Sequence, residues 1–410
     1  MIDIKRGLMK KTQAIDYLRK KLVADRVIYI RESSLVLKVT ERTVRRYIDQ
    51  LCHQGIASKF YGGAKIKNLN IEKNVNELLN QKRGIDFPSY VKTEHETHKA
   101  LSNLIYIFGS FNLDIVTEVM HFPAVGETIK AISTEFFPGG KGANQAIAAS
   151  QFNDNIHLFI KVGNDAPGDI AERYLQGSRI NKTTIIRDTE LKTGSALVMI
   201  EMEQGNSNIV IDPGANENID MHEILSEQIN IMQAKVFLTQ LENNIQATKL
   251  ALEIASAYRC YIILNPAPYS EDILSHLHLV DLLTPNEKEA ELLSGIKINT
   301  NDDADIALKK IHSMGVNEII MTQGQQGAIY YNGVVMKRFR AISAAVVDTS
   351  GAGDAFNGAL AAKIAEGSSM DNAIRYAVAY ASLAVEKKGA SSMPAKESVS
   401  DRLLKGKYRE

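Results

Sequence analysis

The sequence predicts an α/β protein, with a mainly parallel sheet covered by helices on both faces, preceded by a smaller basic α+β domain. From about residue 103 onward, short apolar runs alternate with helical segments, the order typical of parallel strand–helix–strand units. Charge also divides the chain. Residues 1–67 hold 16 Lys and Arg against 6 Asp and Glu, whereas residues 68–410 hold 32 against 42. A basic block on an acidic body indicates separate tasks, and the basic block is a candidate for binding nucleic acid.

The composition is ordinary for a globular protein and excludes several other classes. Of the 410 residues, 45% are hydrophobic and 23% are charged, and the length suits two or three domains. Two cysteines, Cys52 and Cys260, are too few for a disulfide framework, so we expect a reducing, cytoplasmic setting. No apolar run is long enough to span a membrane, and the N-terminal stretch lacks an apolar signal core, so neither insertion nor export is expected.

The basic block, residues 1–67, predicts three helices. Apolar residues at helical spacing from Leu8 to Leu22 indicate the first helix, and residues 33–39 indicate a short second one. Thr40 suits the N-cap of a third helix over residues 43–51. In that helix three apolar side chains recur on one side and are expected to face the core: Val44, Ile48 and Leu51.

A hairpin with a Gly-Gly turn is predicted after the third helix, at residues 56–66. Helix, turn, basic helix and hairpin make the plan of a winged helix-turn-helix domain, whose third helix would enter the major groove of DNA. Arginines on its outer face suit guanine edges or phosphates. The candidate DNA contacts are Arg42, Thr43, Arg45 and Arg46. The alternatives are a solvated basic surface or a dimerisation domain.

This block resembles the N-terminal domain of DeoR-type regulators. The resemblance lies in Thr-Glu-Arg-Thr-Val-Arg-Arg at residues 40–46 and in Tyr-Gly-Gly-Ala at residues 61–64. It departs at Tyr47, where those regulators commonly carry an aspartate. The resemblance implies DNA as a partner. Residues 68–102 include a polar stretch with Pro88 and without a clear period, so they are the predicted linker to a catalytic body over residues 103–400.

In the body, buried strands and helices alternate. Strands are predicted at 104–109, 235–239, 261–264, 280–283 and 319–322, and helices at 244–257, 302–313 and 371–387. Ligands of such sheets bind at the carboxyl ends of the strands. Asn112 and Asp114 follow the first strand there.

A second polar group lies in Pro-Gly-Gly-Lys-Gly-Ala-Asn at residues 138–144, which opens a predicted helix over 145–150. A glycine turn with Lys141 and Asn144 at a helix start can hold hydroxyl groups or a phosphate, although it can equally be an ordinary strand–helix turn. The chain contains neither a Walker A loop nor a Gly-x-Gly-x-x-Gly dinucleotide fingerprint.

The stretch Val346–Gly358 predicts the end of a buried strand, a glycine turn and a helix from Ala352 onward. This geometry directs free backbone N–H groups and the positive end of the helix dipole at one place, where an anion can bind. Asp354 falls in the first helical turn. It either complements the helix N-terminus or acts as a general base beside the anion site, and the stretch alone leaves both readings open.

At these residues the body resembles the ribokinase (pfkB) carbohydrate kinases. Asp348–Asp354 matches their C-terminal signature and Gly139–Asn144 their N-terminal one, and the resemblance covers about 103–394. It implies a ribokinase-like Rossmann-type sandwich with a small β lid, in which the aspartate matching Asp354 is the catalytic base and the backbone of Gly351, Ala352 and Gly353 forms the anion hole.

The resemblance also implies binding residues. Sugar contacts would be Asn112, Asp114, Gly140, Lys141, Asn144, Glu242 and Asp354. ATP contacts would be Asn286, Thr322, Gly324, Gly327 and Gly353. Mg²⁺ would be positioned by Asn286 and Glu289, and K⁺ would be held by Asp348, Ser350, Ala384, Lys387, Gly389 and Ser392.

Residues 194–201 and 208–213, on either side of Gly205-Asn206, are expected to form a hairpin of the lid, which pairs two subunits in ribokinases. The expected reaction is transfer of the ATP γ-phosphoryl group to a pentose, first of all to O5 of D-ribose. The alternatives are deoxyribose, another pentose or a nucleoside as the acceptor, or a sugar-responsive transcriptional regulator that uses the kinase fold as a sensor.

Overall fold

The computed structural model describes residues 14, 17–18, 27–37, 39–53, 57–60, 63–66, 103–203 and 206–406. The chain divides into two compact units, residues 1–94 and 95–410, and each is described by itself. The predicted linker, 68–102, lies outside the described residues, so its boundaries stay a prediction. No helix within the described ranges is long and apolar enough to cross a lipid bilayer.

The described residues of the first unit include a three-stranded antiparallel sheet and two complete helices. Its elements are β1 (Val27–Tyr29), α1 (Ile30–Leu37), α2 (Glu41–His53), β2 (Ala57–Phe60) and β3 (Gly63–Ile66), and the strand order is β1-β3-β2. The second and third predicted helices and the hairpin strands are confirmed, with both helices starting earlier. Strand β1 was not predicted. The Gly-Gly turn and most of the first predicted helix lie outside the described residues.

Helix α2 begins at a threonine cap and separates apolar from charged side chains. The hydroxyl of Thr40 accepts from the amide of Thr43 at 3.2 Å. The predicted inward face is confirmed, since Val44, Ile48 and Leu51 are buried, and Tyr47 joins them in the core. Tyr47 thus fills a core position, where an aspartate would leave a buried charge. The arginines at positions 42, 45 and 46 are exposed, and Arg45 forms an exposed ion pair with Glu41 at 3.6 Å.

A nine-stranded sheet forms the centre of the second unit, in the order β16-β15-β14-β13-β12-β11-β4-β7-β8. Its strands are β4 (Ile105–Phe108), β7 (Ile156–Gly163), β8 (Lys182–Asp188), β11 (Val236–Thr239), β12 (Tyr261–Leu264), β13 (Leu282–Leu283), β14 (Glu318–Thr322), β15 (Ala328–Tyr331) and β16 (Met336–Phe339). The prediction of a mainly parallel sheet is confirmed, and β15 and β16 form an antiparallel edge that was not predicted.

Helices of the second unit follow the predicted alternation. They are α3 (Lys141–Ser150), α4 (Ala166–Gln176), α5 (Met221–Ser226), α6 (Gln228–Gln233), α7 (Ile245–Ala257), α8 (Glu287–Ser294), α9 (Asn301–His312), α10 (Ala352–Ala365), α11 (Met370–Ala384) and α12 (Glu397–Lys405). Short 3-10 helices occupy Gly214–Asn218, Glu271–Leu279 and Gly324–Gln326. Every residue of β4, β7 and β11 is buried, as expected for strands covered on both faces.

A second, four-stranded sheet has the order β10-β9-β5-β6, with β5 (Asn112–Val119), β6 (Ser133–Gly139), β9 (Gly194–Glu201) and β10 (Ser207–Asp212). The predicted hairpin is present as β9 and β10, although residues 204–205 lie outside the described ranges. Asn112 and Asp114 belong to strand β5 of this sheet, and Asn112 pairs with Gly139 of β6. The small sheet therefore joins both predicted sugar-binding segments.

One prediction about the C-terminal signature is wrong. Val346 and Val347 were expected to end a buried strand, but they lie in an irregular segment and are 48% and 64% exposed. The amides of Val347 and Asp348 instead donate to the carbonyl of Val385, just beyond α11. Two adjacent β-branched residues were too short a signal to distinguish a strand from an extended segment.

Helix α10 packs closely against α3, which places the two signatures together. A methyl group on Gly358 would lie 2.5 Å from the Cβ of Ala148 and from the carbonyl oxygen of Gln145. Only a residue without a Cβ allows the helices this separation. Asp354, one turn before Gly358, thereby meets the first turns of α3.

Candidate active site

Polar side chains, among them several predicted site residues, gather at the carboxyl ends of the central parallel strands. Ser110 follows β4, Gln240 and Glu242 follow β11, Asn265 follows β12, and Asn286 follows β13. The four-stranded sheet adds Asn112 and Asp114 to the same region. Since the carboxyl ends of parallel strands share one edge, residues far apart in sequence meet in one cleft.

Asp354 is 6% exposed and is held by two side-chain amides of helix α3. Asn144 Nδ2 donates to Asp354 Oδ2 at 3.2 Å, and Gln145 Nε2 donates to Asp354 Oδ1 at 2.9 Å. A carboxylate that only complemented the helix dipole would need neither partner. The structure thus brings the two signatures into direct contact through this carboxylate.

Buried amide side chains continue behind Gln145. Gln240 Nε2 donates to Gln145 Oε1 at 2.6 Å, and Gln145 Nε2 also donates to Asn265 Oδ1 at 3.1 Å. Asn265 Nδ2 donates in turn to the carbonyl of Thr284 at 3.1 Å. The sequence analysis did not single out Gln145, Gln240 or Asn265, because single amide residues carry no recognisable spacing.

Glu242 anchors the start of helix α3. Its Oε2 accepts from the hydroxyl of Ser110 at 2.5 Å and from the amide of Lys141 at 2.9 Å. The amide of Gly142 donates to the Ser110 hydroxyl at 3.2 Å. Glu242 thus satisfies backbone donors that a helix start leaves unpaired, so it is more than a carboxylate at a strand end.

Asn112 is fixed from a different side. Its Oδ1 accepts from Asn216 Nδ2 at 2.9 Å, and Asn216 also donates to the carbonyls of Phe111 and Pro213. Asn216 lies in the 3-10 helix Gly214–Asn218 and is buried. It was missed by the sequence analysis, since its role depends on a contact across about a hundred residues.

Charge is concentrated in the cleft, and the pKa values reflect it. Burial raises the pKa of Asp114 to about 7, with Glu242 and Asp354 adding to the shift and Lys141 opposing it. Burial alone would lower the pKa of Lys141, but the carboxylates of Asp354, Glu242, Glu289 and Asp114 outweigh it and raise that pKa. The single ammonium group therefore interacts with four carboxylates around one space.

The three residues of the predicted anion hole, Gly351, Ala352 and Gly353, lie at the start of helix α10. Gly351 adopts φ +75°, a conformation that favours glycine, and turns the chain into the helix. No side chain in the described part of the chain caps this N-terminus. The amide of Ala352 donates to the carbonyl of Thr349 at 3.3 Å. A methyl group on Gly353 would meet no atom within 4 Å, so there is open space at this helix start.

Asn286 and Glu289 form a capping box at the start of α8. The amide of Asn286 donates to Glu289 Oε2 at 2.9 Å, and the amide of Glu289 donates to Asn286 Oδ1 at 2.8 Å. The backbone of Asn286 also forms an isolated parallel β-bridge with Thr322, the last residue of β14. The turn with Gly324 and Gly327 follows directly. The predicted nucleotide and magnesium residues are therefore neighbours.

The predicted potassium residues bring two loops together. Asp348 Oδ1 accepts from the amide of Ser350 at 2.8 Å, and its Oδ2 accepts from the amide of Gly389 at 2.9 Å. The amide of Ser392 donates to the carbonyl of Gly389 at 3.0 Å. The carbonyl of Ala384 already accepts from the amide of Lys387. The loops at 348–351 and 389–392 therefore lie against each other next to the start of α10.

Two family models match the chain. The model described as pfkB family carbohydrate kinase matches residues 102–397, and the model described as DeoR-like helix-turn-helix domain matches residues 15–69. The first covers the unit with the cleft, and the second covers the unit with helix α2.

Curated relatives and solved structures agree with these matches. A ribokinase of Haemophilus influenzae is 32% identical over 295 residues, 71% of this chain and 95% of the relative. A deoxyribokinase of Salmonella typhi is 32% identical over 301 residues, 73% of this chain and 98% of the relative. The structure of Arabidopsis thaliana ribokinase complexed with ribose and ATP superposes with a TM-score of 0.66 at 30% identity, covering 74% of this chain and 98% of the other.

Proposed function

The chain belongs to the pfkB family of carbohydrate kinases and carries a DeoR-like helix-turn-helix domain, and on this premise we propose that it transfers the γ-phosphoryl group of ATP to O5 of D-ribose. One observation carries the proposal. The carboxylate of Asp354 lies buried at a helix N-terminus with open space beside Gly353, and it is held by the side-chain amides of Asn144, the last residue of the other signature, and of Gln145, the residue after it.

In the proposed reaction Asp354 takes the proton of the sugar hydroxyl. The hydroxyl oxygen forms a bond to the γ-phosphorus, and the bond from that phosphorus to the bridging oxygen of ADP breaks. Backbone amides at the start of α10, with the helix dipole, stabilise the charge that moves onto the transferred group. Most of the rate enhancement then comes from position and electrostatics.

Sugar binding is proposed for the residues around Asp114. Its carboxylate accepts from two hydroxyl groups, while Lys141 compensates the negative charge of the cleft. Asn144 supports this proposal, because its Oδ1 is buried and has no hydrogen-bond partner among the described residues. A buried acceptor without a donor is costly, and a sugar hydroxyl would supply the donor. Asn112, Gly140 and Glu242 complete the proposed sugar contacts.

We propose that the protein uses two metal ions. The carboxylate of Glu289, positioned by Asn286, is the hard oxygen donor that Mg²⁺ prefers and would hold this ion, which would supply positive charge against the ATP phosphates. Burial raises the pKa of Glu289, which a cation would oppose. For K⁺, the oxygens around Asp348 and Gly389 are a suitable donor set. Thr322, Gly324, Gly327 and Gly353 are the proposed contacts to ATP.

The choice of ribose rests on the relatives, whose names divide between ribose and 2-deoxyribose. These two sugars differ by one hydroxyl group, so a single hydrogen bond decides between them. We propose ribose first and 2-deoxyribose second. A nucleoside is a more distant alternative, supported by an archaeal nucleoside kinase that shares the fold.

The experiment is a panel of sugars with ADP formation as the readout. We expect kcat/KM to be highest for D-ribose, with a 5-phosphate as the product by phosphorus NMR. If kcat/KM is higher for 2-deoxyribose or for a nucleoside, that compound is the substrate in place of ribose. If no ADP forms with any compound of the panel, the proposal is overturned. If the protein served only as a sugar sensor, it would bind a sugar without turnover.

The helix-turn-helix unit is proposed to bind DNA through α2. Arg42, Arg45 and Arg46 are exposed on this helix, opposite the buried face. Guanidinium groups of a recognition helix contact guanine edges and phosphates. Thr43 lies in the same first turn and is the fourth proposed contact. Fusion to a kinase suggests that the protein regulates transcription in response to its sugar, and we propose this as its second role.

Two copies are proposed to pair through the four-stranded sheet. The register places Ile115, Phe136, Leu197 and Val210 in one row across all four strands, on the face opposite Asp114. Phe136, Leu197 and Val210 are 62%, 53% and 65% exposed. A row of large apolar side chains on one sheet face is typical of an interaction surface.

A further inference from the structure

We propose that Gln145 is a positioning residue for the reaction, and that a directed chain of buried amide side chains makes it hold Asp354 in one orientation as a hydrogen-bond acceptor. The inference rests on the proposed role of Asp354 as the base. The side chain of Gln145 does not touch the reacting atoms in the proposed mechanism. The chain runs from the carbonyl of Thr284 through Asn265 and Gln145 to Asp354.

The direction of this chain is set at its far end. The carbonyl oxygen of Thr284 can only accept, so the Asn265 group that faces it is the NH₂. Asn265 Oδ1 therefore points at Gln145 and must accept from it at 3.1 Å. Since an amide has one NH₂ and one oxygen, Gln145 presents its NH₂ on this side.

Gln240 fixes the other end of Gln145. Its Nε2 donates to Gln145 Oε1 at 2.6 Å, so the oxygen of Gln145 is already occupied on the side away from Asp354. A flipped Gln145 would put its oxygen against both Asn265 Oδ1 and the Asp354 carboxylate, and would leave two NH₂ groups facing each other. Both neighbours thus select one orientation, in which a Gln145 N–H points at Asp354.

The remaining N–H of Gln145 can donate only to an acceptor. Asp354 Oδ1 receives it at 2.9 Å, while Asp354 Oδ2 receives the N–H of Asn144 at 3.2 Å. Each oxygen of Asp354 thus accepts one N–H, which fixes the carboxyl plane in one orientation. The chain of amides therefore holds Asp354 in the position from which it would take a proton from a hydroxyl.

Burial makes this preference strong. Gln145 is 0% exposed and Gln240 is 2% exposed, and Asn265 is also buried. Water does not compete for these groups, so an amide turned the wrong way would leave buried atoms without partners. A chain of this kind holds the carboxylate in one position without contacting sugar or ATP itself.

The test is Gln145→Met, which keeps the length and apolar volume of the side chain but removes both N–H groups. We expect kcat to fall by about 10- to 100-fold, because a hydrogen bond to a charged group is lost, with KM for sugar and ATP within about threefold of wild type. Gln240→Met should reduce kcat by a smaller factor, about 3- to 10-fold, since Gln145 would keep its N–H groups and its contact to Asn265 and lose only the hydrogen bond that holds its oxygen.

The double variant tests whether Gln240 acts on Asp354 through the hydrogen-bonded chain of amide side chains. If Gln240 acts through Gln145, the kcat of Gln145→Met/Gln240→Met equals that of Gln145→Met alone, whereas independent structural effects would multiply. Asn153→Leu is the matched control, because it removes another buried amide just beyond α3, bonded to Asn103. It should lower thermal stability and leave kcat unchanged.

A folded Gln145→Met protein with kcat within about twofold of wild type would overturn the inference, and so would a rise in KM at constant kcat. If Gln145→Met does not fold, the kcat of Gln240→Met tests the inference alone: a reduced kcat supports it, and an unchanged kcat overturns it. Asp354→Asn distinguishes a failure of the proposed mechanism from a failure of the positioning role. Normal turnover of Asp354→Asn would reject the proposed mechanism, whereas inactive Asp354→Asn with fully active Gln145→Met would reject only the positioning role.

Discussion

Asp114 is a residue whose chemistry depends strongly on its surroundings. It lies on a strand of the small sheet, and burial with Glu242 and Asp354 raises its pKa to about 7, against the opposing effect of Lys141. Asp114 is therefore expected to change between its neutral and ionised forms near pH 7. A neutral carboxyl offers one acceptor less to a sugar than a carboxylate does.

Sugar binding should therefore depend on pH. The carboxylate binds the sugar more tightly than the neutral form, so the Kd for sugar should fall about tenfold as pH rises from about 6 to 8, through the pKa of Asp114. Calorimetric titration with sugar in the absence of ATP measures this directly. Asp114→Asn should bind weakly at both pH values. A wild-type Kd that is equal at both would contradict the proposed role of Asp114.

At the residue scale, the sequence predicted groups that belong to signatures and missed their supports. Asp354, Lys141 and Asn144 stand in recognisable motifs, and the structure brings them into one cleft. Gln240 and Asn265 lack any motif, and their contacts to Gln145 join residues about a hundred positions apart. Such partners depend on the tertiary fold, which no local pattern encodes.

At the scale of elements, the small sheet is the main structural addition to the sequence-based account. The β9–β10 hairpin was predicted from two apolar runs around a turn, whereas β5 and β6 were not predicted. Strand β5 contains mixed polar and apolar residues and is only half-buried, so its pattern resembles a loop. The central strands β4, β11 and β12 were predicted, because burial on both faces leaves them almost uniformly apolar, whereas the equally buried β7 was missed, since His157 and Lys161 interrupt its apolar run.

The exposed row of this sheet gives a prediction about assembly. Leu197→Lys places a charge in the middle of the row, so we expect the protein to change from dimer to monomer by light scattering, with a rise in dimer Kd of at least about tenfold. Ile306→Lys is the matched control, since Ile306 is an exposed apolar residue on α9, outside the sheet. A dimer that survives Leu197→Lys unchanged would place the interface elsewhere.

At the scale of the whole molecule, two units with opposite charge balance are joined in one chain. The charge asymmetry and the two sets of motifs were sufficient to predict both folds. The domain boundaries stay a prediction, because the predicted linker carries no described residue. The DNA-binding role also stays a proposal, resting on the arginines of α2.

Arg45→Ala/Arg46→Ala in the full chain separates the two roles. We expect affinity for DNA from upstream of its own gene to fall by about 10- to 100-fold. The slope of log affinity against log salt concentration should become shallower by the contribution of about two phosphate contacts. Kinase activity should remain within about twofold of wild type, because neither arginine belongs to the catalytic unit. Arg173→Ala/Arg179→Ala, in exposed arginines of the catalytic unit, is the control. Unchanged DNA affinity in Arg45→Ala/Arg46→Ala would remove α2 as the contact surface.

The most direct measurement of the account is the turnover of Asp354→Asn, with sugar affinity measured on the same protein. The substitution keeps the shape of the side chain and removes its ability to take a proton, so we expect kcat to fall by about 10²- to 10⁴-fold with the sugar Kd within about threefold of wild type. Asp154→Asn, at an exposed aspartate, should leave both unchanged. A folded Asp354→Asn protein that phosphorylates its sugar at the wild-type rate would contradict the account.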